Sequence, residues 1–268
     1  MSMIPLTQFN YKNETILVYD LSPSHLSWIA AEHKVFGKPV IVGTALIEMI
    51  CSSILTIRPN SQFTLFNVLF IKQLHYYLNH LVVVRIIADS TRFSFEIIGQ
   101  GGQTYVEGKI EINKQQKSDP VPVDRIRTGL MKQHDLTHLF TSPDIEVGAH
   151  WKCIRQMYKN ETESLLFLTM DQALLPEINH FFLHPSLFDA ALYLVFDQNG
   201  PGFFIPWMYK RMTIYDRMPS QFYSYCRLHH PPTPTTEILS ADFILMNEQG
   251  VIFIEITGFL YKKTRRLT

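Results

Sequence analysis

Apolar positions in this chain fall mostly into short runs and alternations rather than helical stripes. "TILVYD" (15–20), "FTLFNVLFI" (63–71), "LVVVRIIAD" (81–89), "RFSFEIIGQ" (92–100) and "TYVEGKIEIN" (104–113) are rich in β-branched and aromatic residues and are broken by Asn, Asp-Ser and Gly-Gly. Each predicts a strand. One segment of this half has a helical period instead. From Gly43-Thr44 onward, Leu46, Met49, Ile50 and Ile54 share a face that Ala45 and Ile47 widen, which predicts a largely buried helix.

Residues 114–124, "KQQKSDPVPVD", turn abruptly polar and Pro-rich and read as a linker, followed by a short helical or irregular stretch over 124–140. The pattern then repeats. "SLLFLTM" (164–170) predicts a strand, and "HPSLFDAALYLVFDQNG" (184–200) a helix with Pro185 in its first turn and Asn199-Gly200 at its end. "MTIYD", "QFYSYCRLH", "TEILSADFILM" and "GVIFIEITGFLY" predict further strands, the last two joined by a turn at "NEQG". The expected class is α+β, with two halves at 1–113 and 140–268 joined by 114–139, each a sheet wrapping one apolar helix. Such units can share one sheet across their junction, although the pattern does not say which strands pair.

Composition narrows the function classes. Twenty-four Lys and Arg balance 24 Asp and Glu, so bulk charge points to neither a nucleic acid nor an anionic membrane. The basic end "YKKTRRLT" reads as a solvated tail. Three widely spaced cysteines, Cys51, Cys153 and Cys226, form neither a disulfide framework nor a Cys-x-x-Cys site, which suits a reducing cytosol. No signal-peptide layout opens the sequence, and Glu48 cuts the longest apolar run short of a membrane span. A soluble cytoplasmic chain is expected.

Two ionisable residues are candidates for chemistry. His33 lies on the segment read as a loop before the first helix, and Asp189 about one turn into the second. If the halves pack pseudo-symmetrically, the two helix starts bring an imidazole and a carboxyl to one cleft, the pair that proton transfer to and from carbon and oxygen requires. Unpaired N–H groups around Gly43 could hold a carbonyl oxygen as it gains enolate charge. By the residues alone, each is more commonly a structural or solvated group. His134 and His138 stand at i, i+4 but lack a third metal ligand nearby, His229-His230 reads as a solvated loop pair, and His184 as a residue that caps or orients a helix start.

The motifs around these residues resemble the dehydratase domains of modular polyketide synthases, a double-hotdog family. "LSPSHLSWIAAEHKVFGKPVIVGTALIEM" is similar to that family's N-terminal segment, with His33, Gly37 and Gly43 on the pattern H-x-x-x-G-x-x-x-x-P-G. "HPSLFDAAL" is similar to its H-P-x-x-x-D signature and puts Asp189 on the carboxylate; "PGFFIPWMYKRMTIYDRMP" and "LMNEQGVIFIEITGFLYKK" follow in family order. The resemblance implies an enzyme that eliminates water from a 3-hydroxyacyl thioester, with His33 as base and Asp189 as acid. It implies that Gly37, Val42, Gly43, Trp151, His184 and Tyr193 line the substrate site. The acyl chain would arrive on the phosphopantetheine arm of an acyl carrier protein, with no metal or tightly bound cofactor. Aromatic and Met residues would line core and tunnel. Other synthase domains and a second copy of the chain are the further partners implied.

Three positions depart from the family pattern. Val42 stands where the family has Pro, which frees φ there. The segment G-x-x-Y-G-P-x-F appears as "GAHWKCIR", so Trp151 replaces a tyrosine and its hydroxyl. Tyr193 stands where a Gln or His usually supports the aspartate, and its phenol retains a donor. Val42 and Trp151 point toward the related enoyl isomerases, which move a double bond with the histidine alone, whereas the retained Asp189 points toward dehydration. An inactive scaffolding domain is the third reading.

Overall fold

The structure, a computed structural model, describes residues 3–21, 26–76, 81–89, 92–112, 119–136, 139, 144–195 and 203–264. The first half opens with strands β1 (Thr7–Tyr11) and β2 (Glu14–Asp20), a short helix α1 (Trp28–Ala31), and strands β3 (His33–Val35) and β4 (Lys38–Ile41). Helix α2 (Gly43–Ile57) follows, then β5 (Phe63–Phe70), β6 (Leu74–His75), β7 (Leu81–Asp89), β8 (Arg92–Gly99) and β9 (Thr104–Ile112). Between the halves lie helix α3 (Val123–Thr128) and strand β10 (Met131–Gln133). The second half holds β11 (Ile145–Val147), a 3-10 turn at Ala149–Trp151, β12 (Ile154–Lys159), β13 (Glu163–Thr169) and a 3-10 stretch at Gln172–His180. Helix α4 (Pro185–Ala191) leads into the long closing strands β14 (Phe203–Ile214), β15 (Gln221–Leu228), β16 (Ile238–Met246) and β17 (Ile252–Thr264).

Among the described residues, thirteen strands form one antiparallel sheet in the order β1-β2-β7-β8-β9-β5-β14-β17-β16-β15-β13-β12-β10. Its first six strands wrap α2 and the rest wrap α4, giving two tandem hotdog units. The junction is the pairing of β5 with β14, in register from Phe63↔Ile214 to Leu69↔Met208. A central strand pair of this kind shields its edges and lets the two cores merge. α2 is buried nearly all round, as its composition predicts, and ten of its fifteen residues from Thr44 to Ile54 are buried. Its polar side chains are satisfied internally: Ser53 donates to the Met49 carbonyl at 2.7 Å and meets the Tyr19 hydroxyl at 2.7 Å.

A second, four-stranded sheet orders β11-β3-β4-β6. His33 therefore opens a strand and does not sit on the loop that the sequence suggests. β3 pairs with β4 on one side and with β11 on the other, Val147 lying opposite His33. Three residues are too few to show an alternation. The turn between β3 and β4 has Phe36 at φ 52° and Gly37 at φ 74°, two consecutive left-handed residues as in a type I′ hairpin. The Phe36 ring packs on Phe203 at 5.5 Å, which offsets the cost of a non-glycine residue there.

α4 is shorter than the period of 184–200 suggests. It stops at Ala191, and the predicted Asn199-Gly200 terminus lies outside the described residues. Its end is set by partners elsewhere in the fold. The Ser224 hydroxyl donates to the Ala191 carbonyl at 2.6 Å, Tyr261 to Leu192 at 2.7 Å, and the Lys159 ammonium to Val195 at 3.0 Å. With its last carbonyls satisfied from neighbouring strands, the helix has nothing to gain from another turn.

The starts of α2 and α4 meet. Thr44, buried at the first turn of α2, donates its hydroxyl to the Pro185 carbonyl at 2.9 Å. One turn on, the fully buried Glu48 carboxylate accepts the Phe182 and Leu183 backbone N–H groups at 2.9 and 2.7 Å and the Ser52 hydroxyl at 2.9 Å. Burial pushes the Glu48 carboxyl up to about 7 against the pull of those donors. A carboxyl raised in the folded state stabilises the fold fully below its unfolded pKa and loses that contribution as pH rises through the folded value. The stability advantage of wild type over Glu48→Gln is therefore expected to shrink by about 3 kcal/mol between pH 4.5 and 8, measured by urea unfolding of both proteins across that range.

Candidate functional site

His33, Trp151 and Asp189 converge where the two helix starts meet. β3 carries His33, the 3-10 turn after β11 carries Trp151, and α4 carries Asp189. The indole N–H of Trp151 donates to Asp189 Oδ2 at 2.8 Å, and its ring lies 5.5 Å from the His33 imidazole, tilted by 33°. Trp151 is itself fully buried. The substitution that removes a tyrosine hydroxyl therefore supplies a different donor, and that donor is aimed at the carboxyl.

Burial acts on both ionisable groups in the same sense, against charge. It lowers the His33 pKa below the ordinary imidazole value, while Asp189 and the nearby Val40 and His33 carbonyls pull it back up. It raises the Asp189 carboxyl above its ordinary value, while His33 and the Trp151 N–H oppose the rise. Desolvation thus moves the two pKa values toward each other, the imidazole down and the carboxyl up. His33 Nδ1 is buried without a hydrogen-bond partner.

The other predicted positions surround this pair. Val42 is the N-cap of α2 with φ −64° and ψ 144°, the φ that a proline ring would impose. The backbone keeps its path without the ring. Gly43 opens α2 with the Phe70 ring only 3.0 Å from where a Cβ would stand, so a larger residue would displace that ring. Gly37 serves the β3–β4 turn at the exposed end of the hairpin. His184 is the N-cap of α4; its Nδ1 meets the Ser186 hydroxyl at 3.2 Å and its Nε2 is buried without a partner. Desolvation lowers its pKa to about 3, so the ring is neutral. Tyr193 follows the end of α4, partly buried against the main core. The predicted histidine pair at 134 and 138 falls partly outside the described residues; among those described, no three His, Cys, Asp or Glu side chains stand together as metal ligands.

Several residues were not singled out by sequence. The Trp28 ring lies nearly parallel to His150 at 4.0 Å and to His184 at 5.3 Å, and edge-on to Trp151 at 5.9 Å. Glu32, next to His33, binds His150, next to Trp151. Tyr209 on β14 is fully buried, stacks on Phe259 at 4.2 Å and places its hydroxyl without a partner in the field of Asp189. Nothing in "WMYKRM" marks that tyrosine, because its interest comes from the fold placing it within the field of Asp189.

Comparison with known proteins places the chain in a family. Residues 115–268 match the family described as the polyketide synthase dehydratase N-terminal domain, and the chain belongs to that family. It is 18% identical over 187 residues to the polyketide synthase PksN of Bacillus subtilis (strain 168), which covers 65% of this chain and 3% of that protein. The chain thus spans a small part of that relative. Among solved structures, the CurJ dehydratase mutant in complex with compound 21 aligns over 98% of this chain and 97% of its own, with a TM-score of 0.89 and 20% identity. The CurH dehydratase domain of curacin polyketide synthase aligns over 97% and 96% at TM-score 0.80 and 23% identity. An N-terminal dehydratase from the difficidin assembly line aligns over 95% and 94% at 0.81 and 17%. These likenesses establish the double-hotdog fold. No helix among the described residues is long and apolar enough to cross a membrane.

Two consequences of the geometry are measurable. Replacing Trp151 by Phe removes a donor that favours the ionised carboxylate, so the Asp189 titration midpoint, followed by carboxyl carbon NMR, is expected to move upward. Tyr209→Phe deletes a buried hydroxyl that has no partner, and is expected to leave thermal stability unchanged or raise it by about 1 kcal/mol.

Proposed function

We propose that this domain eliminates water from a 3-hydroxyacyl thioester. The observation that supports the reading most directly is the pairing of His33 and Asp189 through Trp151, with burial driving both toward their neutral forms. Neutral His33 takes the α-carbon proton. The electron pair moves to form the α–β double bond as the β-hydroxyl departs with the proton of Asp189, so that one water and an enoyl thioester leave. Backbone N–H groups at Gly43 stand at the start of α2, where the thioester oxygen would gain charge. The substrate would reach this cleft on the phosphopantetheine arm of an acyl carrier protein, within a larger synthase. Two of the solved relatives are CurK dehydratase mutants described as inactive, one with a histidine replaced by Phe and one with an aspartate replaced by Asn. That is in keeping with a reaction needing both residue types.

The two departures that favoured double-bond migration carry less weight at this site. Val42 holds a proline-like φ, and Trp151 restores a donor to the carboxyl. An isomerase has no leaving group to protonate, whereas a dehydratase needs a carboxyl whose pKa is raised, the direction in which burial moves Asp189.

Incubation with carrier-bound 3-hydroxyacyl and 2-enoyl chains, read by mass spectrometry, separates the readings. Loss of one water from the hydroxyacyl chain is expected, falling by about 10²-fold or more in both His33→Ala and Asp189→Asn. Deuterium uptake into the enoyl chain that survives Asp189→Asn would replace the dehydratase reading by isomerisation. No change with either substrate would leave a scaffold. The acid limb of kcat/KM is expected below the ordinary imidazole range and the alkaline limb above the ordinary carboxylate range, because those are the directions in which burial moves His33 and Asp189.

A further inference from the structure

The turn that aims Trp151 has no cap of its own. Ala149–Trp151 is a single 3-10 turn whose N-cap is Gly148, a residue with no side chain to receive the exposed N–H groups. The missing acceptor comes from the other half of the molecule. Glu32 Oε2 accepts the His150 backbone N–H at 3.0 Å, and Glu32 Oε1 lies 2.9 Å from His150 Nδ1. The Glu32 carbonyl accepts the Gly148 N–H at 2.8 Å. Glu32 thus holds the turn at three points: the N–H of its N-cap Gly148, the N–H of His150, and the His150 ring.

The fit runs in both directions. A Cβ on Gly148 would collide with the Glu32 side chain, so glycine is needed there for close approach and not for an unusual φ. The Glu32 carboxylate at Nδ1 orients the His150 ring. The His150 ring then lies flat on Trp28, 4.0 Å away and 5° from parallel, while Nε2 stands 3.4 Å from the Glu177 carboxylate. Outside the turn, β11 is zipped to β3 by Val147↔His33 and by the Lys34–Glu146 ion pair at 3.1 Å.

Position along the chain gives this clamp its meaning. Glu32 immediately precedes His33, and His150 immediately precedes Trp151, whose N–H holds Asp189. We infer that Glu32 is a positioning residue that caps the Trp151 turn across the junction of the two halves, fixing the distance from imidazole to carboxyl. It touches no reacting atom. Its effect passes through His150 and Trp151 to Asp189, and through the backbone to His33. The inference rests on the proposed roles of His33 and Asp189 for its kinetic consequence, but its structural part stands without them.

The test has two arms. In protein labelled with 15N at indole nitrogens, the Trp151 N–H resonance is identified by its loss in Trp151→Phe. Glu32→Ala is expected to shift that resonance toward the position of a solvent-bonded indole and to speed its exchange with water, with the Trp207 resonance unmoved. Against a 3-hydroxyacyl N-acetylcysteamine thioester, kcat is expected to fall about 10- to 100-fold with KM within about twofold, as misplacement rather than lost binding requires. Glu32→Gln keeps an acceptor for the His150 N–H and is expected to restore most of kcat; Glu32→Asp, one methylene short, is not. Gly148→Ala pushes the carboxyl away without deleting a polar group, and is expected to reproduce the indole shift if Glu32→Ala does not fold. An unmoved Trp151 resonance in a folded Glu32→Ala or Gly148→Ala protein overturns the inference, as does a Gln variant no better than Ala. If the wild-type protein dehydrates nothing, the indole arm still decides whether the clamp exists, and the functional reading alone is lost.

Discussion

Desolvation of a carboxyl and an imidazole at one seam is the constraint on which the rest of this structure depends. Burial of Asp189 and His33 penalises the charged form of each and so works against an ion pair between them. The penalty persists only while water stays out. Exclusion is the work of apolar and aromatic neighbours: Trp151 between the two groups, Trp28 against Trp151, and the buried face of α4. The same force raises Glu48 and lowers His184 a few residues away. The helix starts therefore form one largely buried region, in which Glu48, Thr44 and Asp189 have designated partners while His33 Nδ1, His184 Nε2 and the Tyr209 hydroxyl have none.

Much of the fold could be read from residue pattern because most of its elements are stabilised locally. The strands at 81–89, 92–99 and 104–112 carry β-branched runs with turn signals between them, and α2 shows its buried face directly in Leu46, Met49, Ile50 and Ile54. Pattern failed where distant partners decide. Strand β3 exists because β4 and β11 flank it, and α4 ends at Ala191 because Ser224 and Tyr261 take its final carbonyls. The site followed the same rule. His33 and Asp189 stand out by their motifs and the fold brings them together through Trp151, but Glu32, His150 and Tyr209 are ordinary letters until the sheet order brings them beside the pair.

Two departures from the family pattern show how a physical requirement outlives the residue that usually meets it. A proline ahead of a helix fixes φ near −65°, and Val42 reaches φ −64° as the extended N-cap of α2, flanked by the β4–β6 pairing and the packed start of the helix. A tyrosine offers a hydroxyl, and Trp151 offers an indole N–H at 2.8 Å from the same carboxyl. The exchange is not neutral. Indole donates and cannot accept, so this carboxyl oxygen is held by a one-way bond. In the proposed dehydration, the proton that Asp189 delivers would sit more readily on Oδ1, since Oδ2 receives the indole N–H. Trp151 thereby assigns different tasks to the two oxygens of one carboxyl, an asymmetry that a rotating hydroxyl would not impose.

The two hotdog units share an architecture but cannot be separated without cost, because their polar partners are interlaced. Glu48 on the first helix is satisfied by N–H groups at 182 and 183, Thr44 by the carbonyl of Pro185, and Glu32 by the turn at 148–150. Either half alone would lose these bonds to water and expose the apolar surface that packs around them. These three links are also the ones nearest the site. The contacts that make the halves inseparable are therefore the contacts that set where imidazole, indole and carboxyl stand. In this fold the geometry of the chemistry is fixed by the same bonds that fix the joining of its two parts.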